Sequence, residues 1–156
     1  MSRESIPVRP ANSGKTSRLT LTIQGLAAAG VAVSALSLYH HWGTSATAYC
    51  DFGARFNCDL VNRSIYSTFL GIPVGLIGLL GYASLLALAR PNRTRSWELL
   101  LASSAGLAFA IYLTYIEAFL LAVWCVLCLS SLGLILLITT LSAWVLVASR
   151  SAMRRN

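Results

Sequence analysis

Residues 99–149 read LLLASSAGLAFAIYLTYIEAFLLAVWCVLCLSSLGLILLITTLSAWVLVAS, and Glu117 is their only charged side chain. A helix rises 1.5 Å per residue, so about 20 apolar residues cross the ~30 Å hydrocarbon core of a bilayer. This run of 51 residues is too long for one crossing and suits two. Two further runs are nearly free of charge, Leu19–Tyr39 and Ser64–Ala89, and each supplies one crossing. The chain is therefore expected to be all-α, a bundle of four transmembrane helices.

Composition agrees. Of 156 residues 56% are hydrophobic and 11% charged, against about 25% charged in soluble domains, and the mean hydropathy is +0.69. The net charge of +7 would suit a nucleic-acid partner, but its distribution argues otherwise. Ten of the twelve basic residues fall in three places: Arg3, Arg9, Lys15 and Arg18; Arg90, Arg93 and Arg95; Arg150, Arg154 and Arg155. With four spans these segments share one side, and an excess of Lys and Arg in short loops marks the cytoplasmic face. Both termini are expected there. The organisation expected is a disordered basic tail over 1–18, one membrane domain over 19–149, and a basic tail over 150–156. Ala46-x-Ala48 resembles a signal-peptidase site, but the apolar stretch before it, 21 residues, exceeds the ~7–15 of a signal sequence. It is read as a retained span.

The outer segment between the first two spans is GTSATAYCDFGARFNCDLVNR, residues 43–63. DLVNRSIYS within and after it is expected to form a short interfacial helix, and Pro73 to kink the second span. The outer connection of the last two spans must lie near residues 118–123, although no Gly or Pro marks it.

On this topology all four cysteines face the outer compartment, Cys50 and Cys58 in the loop and Cys125 and Cys128 at the start of the fourth span. Cys125 and Cys128, at i and i+3, share a helix face within disulfide reach. At a helix N-terminus the free N–H groups and macrodipole stabilise a thiolate, which makes Cys125 the more nucleophilic. Thiolate attack through mixed disulfides moves electron pairs between such pairs. A mobile pair and a membrane-bound pair thus form a relay, with electrons entering from a soluble thiol and leaving to a lipid-soluble quinone. Four cysteines could instead bind zinc, but a loop x7 spacing joined to a helical x2 spacing is unlike structural zinc modules, and no metal is expected. Cys50 and Cys58 could also form a purely structural disulfide, which leaves the C-x-x-C unexplained.

C-x7-C in the loop, then Val61, Ser64 and Tyr66 as V-x-x-S-x-Y, then GIPV-x-x-x-G over Gly71–Gly78, and a late C-x-x-C together resemble bacterial homologues of vitamin K epoxide reductase. The resemblance spans roughly Leu19–Val147. It implies a four-helix bundle around a quinone of the ubiquinone or menaquinone class, in the inner membrane, with the active site facing the periplasm. Cys125 and Cys128 match the redox-active pair, with Cys128 next to the quinone. Cys50 and Cys58 match the shuttle pair: Cys50 takes electrons from a thioredoxin-like (DsbA-like) periplasmic partner, and Cys58 passes them to Cys125. Ser64 matches a Ser/Thr near the quinone, though a local cap would equally explain its hydroxyl. The implied enzyme is a thiol-disulfide:quinone oxidoreductase that drives disulfide formation in exported proteins.

Vertebrate members carry a tyrosine where this chain has Leu132 and an asparagine where it has Ser67, which favours respiratory quinones over vitamin K epoxide. Many bacterial members carry a fused thioredoxin-like domain; here the partner is expected to be separate. DsbB-type quinone reductases also contain CVLC, but with the two cysteine pairs in the reverse order. The alternatives are a non-enzymatic four-helix membrane protein with a structural disulfide, and a thiol-driven reductase of quinone or quinone epoxide. Glu117, His40, His41, Tyr112, Tyr115, Phe119 and Trp124 attract attention without being assigned a site, Glu117 foremost because intramembrane charges tend to be functional.

Overall fold

The computed structural model describes residues 13–43, 56–89 and 96–153. The long apolar runs become helices: α1 (Ser13–Trp42), α3 (Val74–Leu88), α4 (Ser96–Ile116) and α5 (Val126–Met153), with a short α2 (Cys58–Asn62) between the first two. Three helical stretches are long and apolar enough to span a bilayer, Ser17–Trp42, Ser96–Leu121 and Val126–Ser151, and α3 is a shorter apolar helix. Leu80, Ile111, Leu136, Leu137, Trp144 and Val147 all point outward. So much exposed apolar surface is a liability in water and is the normal surface of a helix in lipid. The protein is an all-α membrane bundle with three to four spans.

The second span departs from expectation. It does not run as a helix from Ser64. Residues Ile65–Ser67 form a 3-10 turn, and Thr68–Phe69 (β1) pairs antiparallel with Ile72–Pro73 (β2). Leu70 and Gly71 both have positive φ, 54° and 82°, which closes the two-residue turn in the primed sense that hairpins favour. Pro73 therefore kinks nothing: it precedes the first residue of α3 at φ −56°, where its missing N–H costs nothing because no helical carbonyl precedes it. The expected interfacial helix over 59–67 is likewise broken in two, because Ser64 N–H and Oγ both turn back to the Val61 carbonyl.

Small residues set the packing of α1 on α3. A Cβ on Gly30 would lie 2.3 Å from the Tyr82 ring, and one on Gly75 would lie 2.9 Å from Leu38 N. These pairs run in opposite senses along the two helices, so α1 and α3 are antiparallel and in close contact. α1 also packs on α5, and α5 on α4, whereas α3 and α4 touch only lightly. The core, with Ile23, Ala27, Tyr82, Leu85, Leu99, Ile135 and Ile138, fills the middle and the end bearing the termini. Towards the other end the gap between α3 and α4 stays open.

Candidate functional site

The connection between α4 and α5 builds the site. α4 widens into a π-helical turn over Glu117–Leu121, and Ala122 then takes a left-handed conformation, φ 51°, with its N–H on the Glu117 carbonyl. Val123 N–H reaches the same carbonyl. Extra turns of this kind are frequent at functional positions. The turn falls within the expected stretch 118–123, made by an alanine rather than a glycine. Trp124 then pairs with Phe56, its carbonyl accepting from Asn57 N–H at 3.2 Å. This short bridge fastens the outer loop to the turn and lays Cys58 beside Cys125. The two are buried in one cluster with Val61, enclosed by Leu121, Val123, Val126, Leu127 and Cys128.

Cys125 immediately precedes α5. Its N–H donates to Glu117 Oε2 at 3.1 Å, and its carbonyl accepts the N–H of Leu129. Its thiol is held below the ordinary cysteine value, first by hydrogen bonding with the Cys128 thiol and then by the Cys128 and Leu127 backbone N–H groups; burial and the Glu117 charge oppose this. The sequence-based assignment of Cys125 as the more nucleophilic thiol therefore has a local cause besides the helix terminus. Cys125 and Cys128 are free thiols, the first fully buried and the second half-buried. Their sulfur atoms and a Glu117 carboxylate oxygen all lie within 4.8 Å of one another. Cys58, by contrast, is disulfide-bonded. Cys50 lies outside the described residues.

A polar brace holds α2 in place. Asn62 Nδ2 donates to the Cys58 carbonyl at 2.9 Å, Ser37 Oγ donates to Asn62 Oδ1 at 2.7 Å, and His41 Nδ1 donates to the Asn62 carbonyl at 2.7 Å. α1 thereby positions the loop cysteine. Asn62 was not singled out from sequence; the signal available was an amide four residues after a cysteine, too common a spacing to stand out.

Cys128 lines two cavities. The larger, about 340 Å³ and mostly apolar, lies between α1, α3, α4 and α5, within the ~300–1,000 Å³ typical of ligand pockets. Its few polar groups include Ser34, Ser37 and the paired hydroxyls of Tyr82 and Ser131, with Tyr82 Oη 2.8 Å from the Ser131 carbonyl and 2.9 Å from its Oγ. A flat, largely apolar ring bearing two oxygens suits this lining, and neither Cys58 nor Cys125 reaches it. The smaller cavity, about 40 Å³, is bordered by Glu117, Cys128, Asn62, Ser64, Tyr66 and Ser67 among others. Ser64 lines this one and not the large one. Tyr112, Tyr115 and Phe119 are exposed on the outer surface, away from both cavities. Tyr82 and Ser131 escaped sequence reading because nothing in a charge-free run tells a pocket-facing hydroxyl from a packing one.

The family model described as the vitamin K epoxide reductase family matches residues 21–143, a range holding both cysteine pairs, the hairpin and the π-turn. Enzymes of that family are thiol-disulfide/quinone oxidoreductases. With a membrane bundle, a thiol pair at an apolar cavity and a match over most of its length, this chain belongs to the vitamin K epoxide reductase family.

Proposed function

We propose that the protein passes electrons from a thioredoxin-like periplasmic partner through Cys50 and Cys58 to Cys125 and Cys128, and on to a quinone of the ubiquinone or menaquinone class, driving disulfide formation in exported proteins. One observation carries the reading: Cys128 belongs both to the buried thiol pair and to the wall of the large apolar cavity. Cys128 is the donor to quinone, and Tyr82 and Ser131 supply the hydroxyls of the large cavity able to meet its oxygens, whereas Ser64, matched to a quinone-side Ser/Thr by the resemblance, borders the smaller cavity beside Cys128. The quinone supplies a two-electron, two-proton acceptor.

The electron path balances at each exchange. The partner's dithiol reduces the loop disulfide, taken as Cys50–Cys58, and leaves oxidised. Cys58 thiolate attacks Cys125 of an oxidised Cys125–Cys128 pair, releasing Cys128 thiolate. Cys50 then attacks Cys58, re-forming the loop disulfide and freeing Cys125. A disulfide at Cys58 beside free thiols at Cys125 and Cys128 is the distribution expected once electrons have arrived at the inner pair. The basic segments support cytoplasmic termini, with the relay in the oxidising periplasm of a bacterial cell and one membrane domain over 19–149.

The exchange is tested by trapping. In Cys128→Ser, Cys125 has no neighbouring thiol and attacks the loop disulfide at Cys58. A Cys58–Cys125 linked peptide is expected by mass spectrometry after digestion. If the loop disulfide is merely structural, Cys58 keeps its partner and Cys125 remains an alkylatable thiol.

A further inference from the structure

Disulfide formation from two thiols releases two protons, and a quinone becoming hydroquinone takes up two. Within the large cavity the lining is nearly all apolar, and the Tyr82 and Ser131 hydroxyls are bonded to each other. A proton carrier is needed at the sulfur atoms.

Glu117 has the required placement. It is 2% exposed, and its two oxygens have different tasks. Oε2 accepts the Cys125 N–H, an interaction that organises the turn and that a neutral amide oxygen would serve equally well. Among the described residues, Oε1 is the buried side-chain oxygen that no N–H or O–H group reaches, and the donor beside the carboxylate is the Cys128 thiol. Leaving a buried polar atom unpaired carries a penalty, so this second oxygen calls for a task of its own. The carboxylate is within 4.8 Å of both thiol sulfurs and borders the ~40 Å³ cavity with Cys128, Ser64, Tyr66 and Ser67. That volume exceeds the ~10–15 Å³ a water molecule needs, and its walls offer several polar partners.

We infer that Glu117 is the proton-transfer residue of the Cys125–Cys128 pair, its Oε1 taking the proton that leaves Cys128 Sγ. The inference rests on the quinone-reductase reading above. Over one turnover two S–H bonds break and one S–S bond forms; the two electrons reduce the quinone to hydroquinone and the two protons complete its hydroxyl groups. Glu117 becomes neutral as Cys128 ionises, gives its proton up towards the quinone oxygens and ends ionised as it began. The second proton exchanges with water by way of the small cavity. The titratable groups facing Glu117 are Cys125 and Cys128 at the start of α5 and Tyr66 from the 3-10 turn. His41, from α1, is engaged beyond the cavity with Asn62, and Ser67 Oγ is 3.4 Å from its Nδ1. The exposed Arg63 of the outer loop binds the Gly43 carbonyl.

The test compares wild type with Glu117→Gln, which keeps an acceptor for the Cys125 N–H and nearly the same volume. Turnover is followed in detergent with dithiothreitol and a short-chain ubiquinone. Glu117→Gln is expected to lower kcat by about 100-fold, the low end of general acid–base effects, with KM for quinone and the melting temperature unchanged. The kcat–pH profile should change with it, leaving the Cys125 thiolate alone to set the acid side, and Glu117→Asp should restore part of the rate and of the wild-type profile. Glu117→Gln turning over at the wild-type rate with the wild-type profile would leave Glu117 a purely structural residue and overturn the inference. Wild type without turnover would sink the quinone-reductase reading itself, and the inference with it. Infrared difference spectra of wild type serve if Glu117→Gln does not fold: reduction of the thiol pair should change a carboxyl C=O band that shifts in D2O, and its absence would also overturn the assignment.

Discussion

Adding one methyl group at Gly30 probes the contact that shapes the large cavity. In Gly30→Ala the new Cβ would stand 2.3 Å from Tyr82 Cδ1 and Cε1 and 2.6 Å from Cγ, well inside carbon–carbon contact distance. In an unhindered helix this substitution is favourable by about 1 kcal/mol. Here the ring must move, and it is poorly able to: Tyr82 is 5% exposed and its hydroxyl is tied to Ser131 at 2.8 and 2.9 Å. Overpacking costs about 1–3 kcal/mol, and breaking the hydroxyl's hydrogen bonding adds about 1 kcal/mol. The net loss is therefore about 1–3 kcal/mol, which for a chain of this size lowers Tm by about 5 °C. Thermal unfolding in detergent reads it directly. Pairing Gly30→Ala with Tyr82→Ala should cost less than the two separate losses added together, because the small side chain removes the clash. Gly30→Ala with wild-type or higher stability would show that α1 and α3 do not meet through Tyr82, and the cavity wall described above would be wrong.

Two further perturbations address the site. Thiolate absorbance of the fully reduced protein should rise at a pH below the ordinary cysteine value of about 8.5, because the Cys125 thiol is held low. The thiolate is present above the lowered pKa and is lost as pH falls through it, so relay exchange slows in acid. The transition should vanish in Cys125→Ser and move up in Cys128→Ser, which removes the largest stabilising partner; a transition that stays in place would contradict that cause. Ser131→Ala should raise KM for quinone about fivefold with kcat retained, the worth of one hydrogen bond of about 1 kcal/mol, because Ser131 lines the large cavity. An unchanged KM would confine the Ser131 hydroxyl to its bond with Tyr82.

Charge-free runs reveal spans because hydrocarbon excludes charge whatever the packing, so the four apolar segments and the outer turn near 118–123 were legible. The C-x-x-C was legible too, because its spacing is itself the chemistry. The limit of the second span was not. Apolar periodicity is equally satisfied by a helix and by the hairpin at residues 68–73, and only the positive φ of Leu70 and Gly71 separates them. The role of Pro73 changed for the same reason. Glu117 stood out as a lone charge, but its two-sided placement depends on a π-turn that no residue type announces. The Ser37–Asn62–His41 brace and the Tyr82–Ser131 pair join residues distant in sequence, and in a single sequence such partners carry no shared mark.

In the proposed relay Cys128 delivers electrons across the wall of the apolar cavity to a quinone. The most direct measurement follows quinone absorbance over time in detergent with dithiothreitol as reductant, comparing wild type with Cys128→Ser. Steady reduction of quinone is expected of wild type and none above background of Cys128→Ser. Equal turnover by both would remove Cys128 from the electron path and contradict the proposed relay.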